Sequence, residues 1–289
     1  MPQNNSRFIF KMTCPDTVGI VAAVTSFISE NGGFICSSSH YGDPSTNRFF
    51  MRTVFDSVET KKIKTLDEMK EKFAPIAEKY CMQWDIHNSS YRPKVLIAVS
   101  KSGHCLNDLL HKAKMGQIAM DIPAVISNHL DMREIVEWYN IPFYHFPITP
   151  ETKQLQEEKI LKMIDDMGID LFVLARYMQI LSPSTTEKLK GRCINIHHSF
   201  LPSFKGAAPY QQAYDKGVKL IGATAHYVSS DLDEGPIIEQ AVERVDHSFT
   251  LEEIINTGRD LETIVLSRAV KWHIEHRVLM NGDKTVVFK

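Results

Sequence analysis

Lys94-Val-Leu-Ile-Ala-Val99 is the stretch that decides the fold of the longer part of this chain. Five apolar residues in succession, preceded by Pro93 and followed by a polar loop from Ser100, are typical of a strand that is buried on both faces. Such strands occur mainly in parallel sheets that carry helices on both sides. The next short apolar runs, which we also predict to be strands, are residues 124–126, 143–146, 171–174 and 193–196.

Helical segments lie between these predicted strands. Alternation of strand and helix predicts an α/β domain built on a doubly wound, mostly parallel sheet. Ligands bind such sheets beyond the carboxyl ends of the strands, which is where Asn195 and His197 fall. The predicted helices are residues 105–112, 132–139, 151–167 and about 250–276, and a short hairpin around residues 281–282 ends the chain.

The first 86 residues follow a different order of elements. Strand, helix, strand, strand, helix and strand succeed one another, which is the ferredoxin-like α+β arrangement. The predicted strands are residues 7–12, 34–36, 49–55 and 81–86, and the predicted helices are residues 20–29 and 61–79. A polar segment that ends in a proline follows and is predicted to be a linker. The expected division is residues 1–86, the linker 87–93 and residues 94–289.

Composition restricts the kind of protein this chain can be. Its 289 residues suffice for two compact domains, and a formal net charge of -2 argues against a general nucleic-acid or membrane-surface binder. No apolar run approaches the roughly 20 residues that cross a bilayer, and the start lacks the apolar core of a signal peptide. The five scattered cysteines have no Cys-x-x-Cys spacing and are typical of reduced thiols. We therefore expect a cytoplasmic protein.

Asn195, His197 and Asp233 carry the side chains best suited to chemistry. Residues i and i+2 of a strand point to the same face, so Asn195 and His197 can converge on one atom. A carboxamide can donate to a developing oxyanion, an imidazole can donate a proton, and a carboxylate can keep that imidazole protonated. Two plainer interpretations stay open: a capping amide beside a half-buried histidine, and a solvated acidic turn around Asp233.

The residues around this set resemble the folate-dependent formyltransferase family and, within it, the formyltetrahydrofolate deformylases. The resemblance covers about residues 94–280. In that family the equivalents of Asn195, His197 and Asp233 are the catalytic residues. His198 stands where the purine-pathway transformylases have the proline of Asn-x-His-Pro-Ser. The motifs that carry the resemblance are Asn195-Ile-His-His-Ser-Phe-Leu-Pro-Ser-Phe-Lys-Gly206, Ala207-Ala-Pro-Tyr-Gln-Gln-Ala213, Ile221-Gly-Ala-Thr-Ala-His-Tyr-Val228 and Asp233-Glu-Gly-Pro-Ile-Ile238.

The same resemblance implies a folate pocket in the segment Leu174-Ala-Arg-Tyr-Met-Gln-Ile-Leu181. A flat pterin with donors and acceptors along its edge suits apolar walls and exposed main chain. Periodicity alone would instead favour a helix that packs Met178 and Leu181 into the core. His226 could likewise be an ordinary hydrogen-bonded strand histidine. The expected folate contacts are Met178, Gln179, Ile180, Leu181 and His226.

The loop Cys14-Pro-Asp-Thr-Val-Gly-Ile20 resembles the corresponding turn of the ACT family of small regulatory modules. The resemblance implies an amino-acid effector at Asp16 and Gly19, since free amides at a helix start can hold a carboxylate. The alternative is that Asp16 is only a helix cap and Gly19 a packing residue. Small sheets of this type commonly pair at their edges, so we expect a homodimer or a higher even oligomer.

Neither a metal nor a tightly bound cofactor is expected. His197 and His198 are adjacent on a strand and point to opposite faces, and no zinc-ligand spacing accompanies them. The loop after residue 99 lacks phosphate-binding glycine motifs. In glycinamide ribonucleotide transformylases the corresponding loop is rich in small polar residues that hold the acceptor phosphate. Here His104, Cys105 and Leu106 replace them, which points to water as the acceptor.

The resemblance therefore implies an enzyme of one-carbon metabolism and purine biosynthesis. Its expected reaction is hydrolysis of 10-formyltetrahydrofolate to tetrahydrofolate and formate. One alternative is formyl transfer to an amine such as glycinamide ribonucleotide; methionyl-tRNA is disfavoured by the near-neutral charge. The other alternative is a non-catalytic sensor of an amino acid or a folate.

Overall fold

The structure, a computed structural model, describes residues 6–57, 65–202 and 209–289. The first residues of the predicted helix 61–79 and the centre of the motif at residues 203–208 lie outside the described residues. The chain forms two compact units. One unit combines Met1–Tyr91 with Glu275–Lys289, and the other is Arg92–Ile274.

The first unit has the predicted ferredoxin-like topology. Its four strands form an antiparallel sheet in the order β2-β3-β1-β4. Phe10 on β1 and Phe73 on α2 are fully buried and meet with ring centroids 4.9 Å apart. The elements are β1 (Arg7–Pro15), α1 (Ile20–Glu30), β2 (Gly33–Asp43), β3 (Arg48–Ser57), α2 (Leu66–Lys79) and β4 (Gln83–Asn88).

The second unit is an α/β fold with a seven-stranded, mostly parallel sheet, as predicted. The strand order is β11-β10-β9-β8-β5-β6-β7. Strands β5 to β9 are parallel to one another, β10 is antiparallel to β9, and β11 is antiparallel to β10. Its elements are β5 (Lys94–Val99), α3 (His104–Lys114), β6 (Asp121–Ser127), α4 (Arg133–Trp138), β7 (Phe143–His145), α5 (Lys153–Met167), β8 (Leu171–Leu174), α6 (Pro183–Lys188), β9 (Cys193–His197), α7 (Pro209–Lys216), β10 (Leu220–Tyr227), β11 (Ile237–Arg244) and α8 (Leu251–Ile274).

The order of the strands produces a crevice at the middle of this sheet. The chain leaves β5 for β6 and β7 on one side, then returns to β8 and β9 on the other side. Such a switch point leaves room for a ligand at the carboxyl ends of the strands. Residues 95–99 of β5 are fully buried, which confirms the strand predicted from their apolar run.

The segment after β8 is not a helix, so the helical interpretation of residues 174–181 is wrong. Arg176 has a left-handed backbone (φ 63°), and its carbonyl accepts a hydrogen bond from the amide of Ser100 at 3.1 Å. The amide of Met178 then donates to Oγ of Ser100 at 3.0 Å. These bonds to the end of β5 hold the main chain extended until Ser182 caps α6. Met178 and Ile180 are consequently 59% exposed rather than packed in the core.

The C-terminal residues belong to the first unit, which corrects the expected domain 94–289. They form a hairpin of β12 (Val278–Asn281) and β13 (Lys284–Val287). Nδ2 of Asn281 donates to Oδ2 of Asp43 at 2.6 Å, and Arg52 donates to the carbonyl of Glu275 at 2.9 Å. The predicted linker is also displaced, because β4 continues to Asn88 and the first unit extends to Tyr91. Among the described residues, no helix is both long and apolar enough for a membrane span.

Candidate active site

A cavity of about 370 Å³ opens beside the ends of β8 and β9. Its walls are mainly apolar on the side of the segment that follows β8 and polar on the side of β9. All eight residues predicted to form the catalytic and folate sites line it: Met178, Gln179, Ile180, Leu181, Asn195, His197, His226 and Asp233. The fold therefore brings these eight residues to one cavity, although residues 178 and 233 are 55 positions apart in the sequence.

His197 and Asp233 form a buried ion pair. Nδ1 of His197 lies 3.1 Å from Oδ2 of Asp233, and their side chains are 6% and 11% exposed. Asp233 lies in the loop between β10 and β11 with a left-handed backbone (φ 59°). Burial opposes ionisation of this carboxyl, but the imidazoles of His197 and His226 outweigh it and leave the pKa of Asp233 below its ordinary value. The carboxylate therefore stays charged and can accept a hydrogen bond from Nδ1 of His197.

Gly235 allows the Asp233 loop to close onto β10. A Cβ at this position would collide with the backbone carbonyl of Tyr227 and would lie 3.2 Å from Nδ1 of His226. Only glycine fits so close an approach of two main chains. This close approach brings Asp233 over the imidazoles of His197 and His226.

Asn195 and His226 face each other across β9 and β10. Nδ1 of His226 lies 2.8 Å from the carbonyl of Tyr227 and therefore donates to it, which leaves Nε2 as an acceptor in the neutral ring. That nitrogen lies 3.3 Å from Nδ2 of Asn195, which donates to it when the ring is neutral, and 3.6 Å from Oδ1 of Asp233. His226 is only 2% exposed, so it lies behind Asn195 and fixes the orientation of the amide. The second N–H of the amide is left for a ligand.

His197 supplies a second donor to the cavity. Its Nε2 is buried and has no hydrogen-bond partner among the described residues. Because Nδ1 faces Asp233, Nε2 carries a proton when the ring is charged. Asn195 and His197 thus offer two N–H groups to one side of the cavity, which is the arrangement of an oxyanion hole.

A second polar group, which the sequence did not reveal, adjoins this site. We refer to His104, Arg176, Tyr210 and Glu262 as the Glu262 cluster. Glu262 on α8 has a side chain only 1% exposed. It accepts hydrogen bonds from Nε2 of His104 at 2.8 Å and from the hydroxyl of Tyr210 at 2.5 Å. Nε of Arg176 lies 3.3 Å from the same carboxylate.

The Glu262 cluster keeps its carboxylate charged. Burial would raise the pKa of Glu262, but the bonds and charges of His104, Arg176 and Tyr210 outweigh burial and lower it. Burial and the nearby carboxylate raise the pKa of Tyr210 far above its usual range, so its hydroxyl remains a donor. A signal was available in the sequence, since Glu262 falls at helical spacing among the buried residues of α8, four positions after Gly258 and four before Leu266.

One group of possible metal ligands exists among the described residues: His104, Cys105 and Glu262, whose ligand atoms lie within 4.8 Å of one another. Its chemistry does not fit a metal ion. Both oxygens of Glu262 already face protein donors, including the guanidinium of Arg176. Burial raises the pKa of Cys105 well above its ordinary value, which disfavours the thiolate that a metal would need.

His198 lies between the two polar groups. Its ring centroid is 5.3 Å from that of His197 and 6.0 Å from that of Tyr210. Burial, and secondly the charge of Arg176, lowers the pKa of His198 to about 4. The ring is therefore neutral near pH 7, and the pair His197–His198 does not carry two adjacent positive charges.

Asp16 and Gly19 take the positions expected of a turn before a helix, but Asp16 is not the helix cap. Gly19 caps α1 with a left-handed backbone (φ 94°), and no side chain caps the first turn. Asp16 is exposed, and its carboxylate lies close to Gly42 at the end of β2. The first-turn amides of α1 are thus not occupied by Asp16.

Residues 93–270 match a family model described as formyl transferase. The chain is 46% identical to the formyltetrahydrofolate deformylase of Corynebacterium sp. (strain P-1), over 98% of both proteins. It is 48% identical to that of Bacillus subtilis (strain 168), over 99% of this chain and 95% of the relative. The chain belongs to the formyltetrahydrofolate deformylase family.

Solved structures of this family share the fold. The crystal structure of the deformylase from Burkholderia mallei matches with a TM-score of 0.92 at 50% identity, over 98% of this chain and 100% of that one. Glycinamide ribonucleotide transformylase 1 from Symbiobacterium toebii matches with a TM-score of 0.64 at 27% identity, over 68% of this chain and 95% of that one. Membership therefore rests on nearly the whole chain, whereas the likeness to this transformylase covers about two thirds of it.

Proposed function

We propose that this protein hydrolyses 10-formyltetrahydrofolate to tetrahydrofolate and formate. Its relatives at 40–48% identity over nearly the full chain are named formyltetrahydrofolate deformylases. The observation that carries the proposal is the convergence of Asn195, His197 and Asp233 on one cavity, with His197 and Asp233 ion-paired at 3.1 Å.

In the proposed mechanism, water attacks the formyl carbon while the formyl oxygen receives hydrogen bonds from Asn195 and His197. These donors stabilise the oxyanion of the tetrahedral intermediate. Asp233 keeps His197 charged and accepts a proton from the attacking water. The bond from carbon to N10 then breaks, the proton that Asp233 took from water passes to N10, and tetrahydrofolate and formate leave.

The pterin ring is proposed to lie against the segment that follows β8. Met178 and Ile180 expose apolar side chains there, and Gln179 and the extended main chain add donors and acceptors. A flat, apolar ring with a polar edge suits such walls. We assign His226 a positioning role through Asn195 rather than a direct contact with folate.

The first unit is proposed to be an ACT-type regulatory module. The uncapped first turn of α1, with Asp16 and Gly19 in the preceding loop, supports a site for a small ligand such as an amino acid. The edge strand β2 exposes Phe34 and Tyr41, which supports pairing between copies of the chain in an even-numbered oligomer. We propose a cytoplasmic enzyme of one-carbon metabolism that needs no tightly bound cofactor.

The test is release of formate from 10-formyltetrahydrofolate by the purified protein, without and with glycinamide ribonucleotide. We expect formate in both cases and no formylated amine. Formylated product that depends on the added amine, with no formate in its absence, would make the protein a transferase. The absence of both products would support the alternative of a non-catalytic sensor.

A further inference from the structure

Arg176 connects the Glu262 cluster to the reaction site. It lines the same cavity as Asn195 and His197, and its side chain is only 14% exposed. Nη1 of the guanidinium is buried and has no hydrogen-bond partner among the described residues, whereas Nε faces the carboxylate of Glu262 at 3.3 Å. Buried donors are rarely left unpaired in proteins, so the N–H groups of Nη1 call for an explanation.

The backbone at Arg176 supports a role for its side chain. A φ of 63° is a left-handed conformation that costs a residue other than glycine about 1–2 kcal/mol. The conformation is imposed on both sides, because the amide of Ala175 donates to the carbonyl of Ala98 at 2.8 Å and the carbonyl of Arg176 accepts from Ser100. Glycine would satisfy the same bonds without strain. A long charged side chain at this position therefore points to a function that outweighs the strain.

The rest of the cluster immobilises the guanidinium. Glu262 is held by His104 and Tyr210, and Tyr210 reaches it by crossing α8 at Gly258, where any Cβ would overlap the phenol ring. If Arg176 turned away, the buried carboxylate would lose a positive charge, and breaking a buried ion pair is costly. The guanidinium is thus a fixed wall of the cavity.

We propose that Arg176, held in place by Glu262, is the specificity-determining residue that limits the nucleophile to water. The inference rests on the proposed hydrolysis. A water molecule is small enough to reach the formyl carbon beside the guanidinium, and the unpaired N–H groups of Nη1 can hold its oxygen. An amine brings carbon substituents next to the attacking nitrogen, and these substituents would have to displace the guanidinium from its ion pair.

Two reactions compete when an amine is present. In hydrolysis, a bond forms between water oxygen and the formyl carbon, the bond from carbon to N10 breaks, and one proton of the water passes to N10 while the formic acid ionises to formate. In transfer, a bond forms between the amine nitrogen and the formyl carbon, the same bond to N10 breaks, and the amine proton passes to N10. Both reactions release tetrahydrofolate, and neither needs an oxidant or a reductant.

The test measures the ratio of formylglycinamide to formate when 10-formyltetrahydrofolate and glycinamide are given to wild type, Arg176→Gly and Arg176→Asn. Glycine and asparagine both tolerate the left-handed backbone, so the main chain is preserved. Asn140→Gly is the matched control, because Asn140 is exposed on a loop and has a similar φ of 58°. The ratio is set within each turnover and does not depend on how much of a variant is folded.

We expect wild type and Asn140→Gly to form almost only formate. Both Arg176 variants should still turn over, and their ratio of formylglycinamide to formate should rise at least about tenfold. A factor of about ten is the lower end of the range by which one changed pocket contact alters discrimination between two substrates. A wild-type ratio in both Arg176 variants would overturn the inference. So would folded Arg176 variants that lose all turnover, since Arg176 would then be required for hydrolysis itself. Wild type that releases no formate would instead refute the proposed hydrolysis.

Discussion

At the residue scale, the behaviour of the site depends on which ring nitrogens of His197 and His226 carry protons. His226 faces a backbone carbonyl through Nδ1, and its Nε2 faces both the amide of Asn195 and Oδ1 of Asp233. His197 faces the carboxylate of Asp233 through Nδ1 and leaves Nε2 toward the cavity. Two imidazoles of the same unit thus have different tasks because their partners differ.

Replacing Asn195 with alanine tests the oxyanion donor. We expect Asn195→Ala to lower kcat by about 10²–10³, the usual loss when one such donor is removed, with little change in thermal stability. Rates of formate release and thermal unfolding measure the two effects. Asn256→Ala, on the exposed face of α8, is the control and should keep the wild-type rate. Near-wild-type turnover of Asn195→Ala would contradict the assignment.

Replacing Asp233 with asparagine tests the charge beside His197. Removing this proton acceptor should lower kcat by about 10²–10⁴. The folded-state pKa of Asp233 is below its unfolded value, so the stability that its charge contributes is present above about pH 4 and is lost as the pH falls further. The difference in urea unfolding free energy between wild type and Asp233→Asn should therefore be larger at pH 6 than at pH 3.5. An equal difference at both values would show that the charge does not stabilise the fold.

At the scale of elements, α8 begins and packs as its sequence directs, but it carries an unusual buried face. Thr250 and Glu253 exchange hydrogen bonds at its start, which is a capping box. The buried face includes Gly258 and Glu262 among apolar residues. Those two residues accommodate Tyr210, so this helix supplies both the space and the partner for the Glu262 cluster.

Gly258→Ala tests this packing. In an exposed helix the change would add about 1 kcal/mol of stability through helix propensity. Here the new Cβ overlaps the ring of Tyr210, and overpacking typically costs about 1–3 kcal/mol. We expect a lower Tm, whereas Asn256→Ala in the same helix should leave Tm unchanged or raise it. A raised Tm for Gly258→Ala would show that Tyr210 moves aside without loss.

At the scale of the whole molecule, the chain returns to its first unit after completing the second. Asn281 in the hairpin and Asp43 at the end of β2 are joined although 238 positions separate them. A boundary placed only near residue 91 would therefore leave Glu275–Lys289 without its partner surface. Experiments that remove the first unit to isolate catalysis should remove these residues as well.

Asn281→Ala tests the attachment of the hairpin. Loss of its hydrogen bond to Asp43 should loosen β2 and β3, while the seven-stranded sheet is unaffected. We expect faster amide hydrogen exchange in the first unit only. Lys284→Ala, an exposed change in the same hairpin, is the control. Unchanged exchange in β2 and β3 would show that other contacts secure the hairpin.

Sequence patterns predicted the local structure well because apolar spacing directly reports which faces are buried. The strand at Lys94–Val99 and the helices α1 and α8 follow from their own residues. The helical interpretation of residues 174–181 failed because Ser100, far away in the chain, holds that segment extended. Periodicity cannot report a bond to another strand.

The sequence alone indicated the two kinds of sheet, because the order of strands and helices follows from local apolar patterns. The resemblance to the formyltransferase family indicated the folate contacts among the residues that line the cavity. Only the tertiary structure decided that Glu262 meets His104, 158 positions away, and that the last residues join the first unit. Those contacts depend on how the elements pack. The partners of a buried charge such as Glu262 are set by the packing of elements that are distant in the sequence.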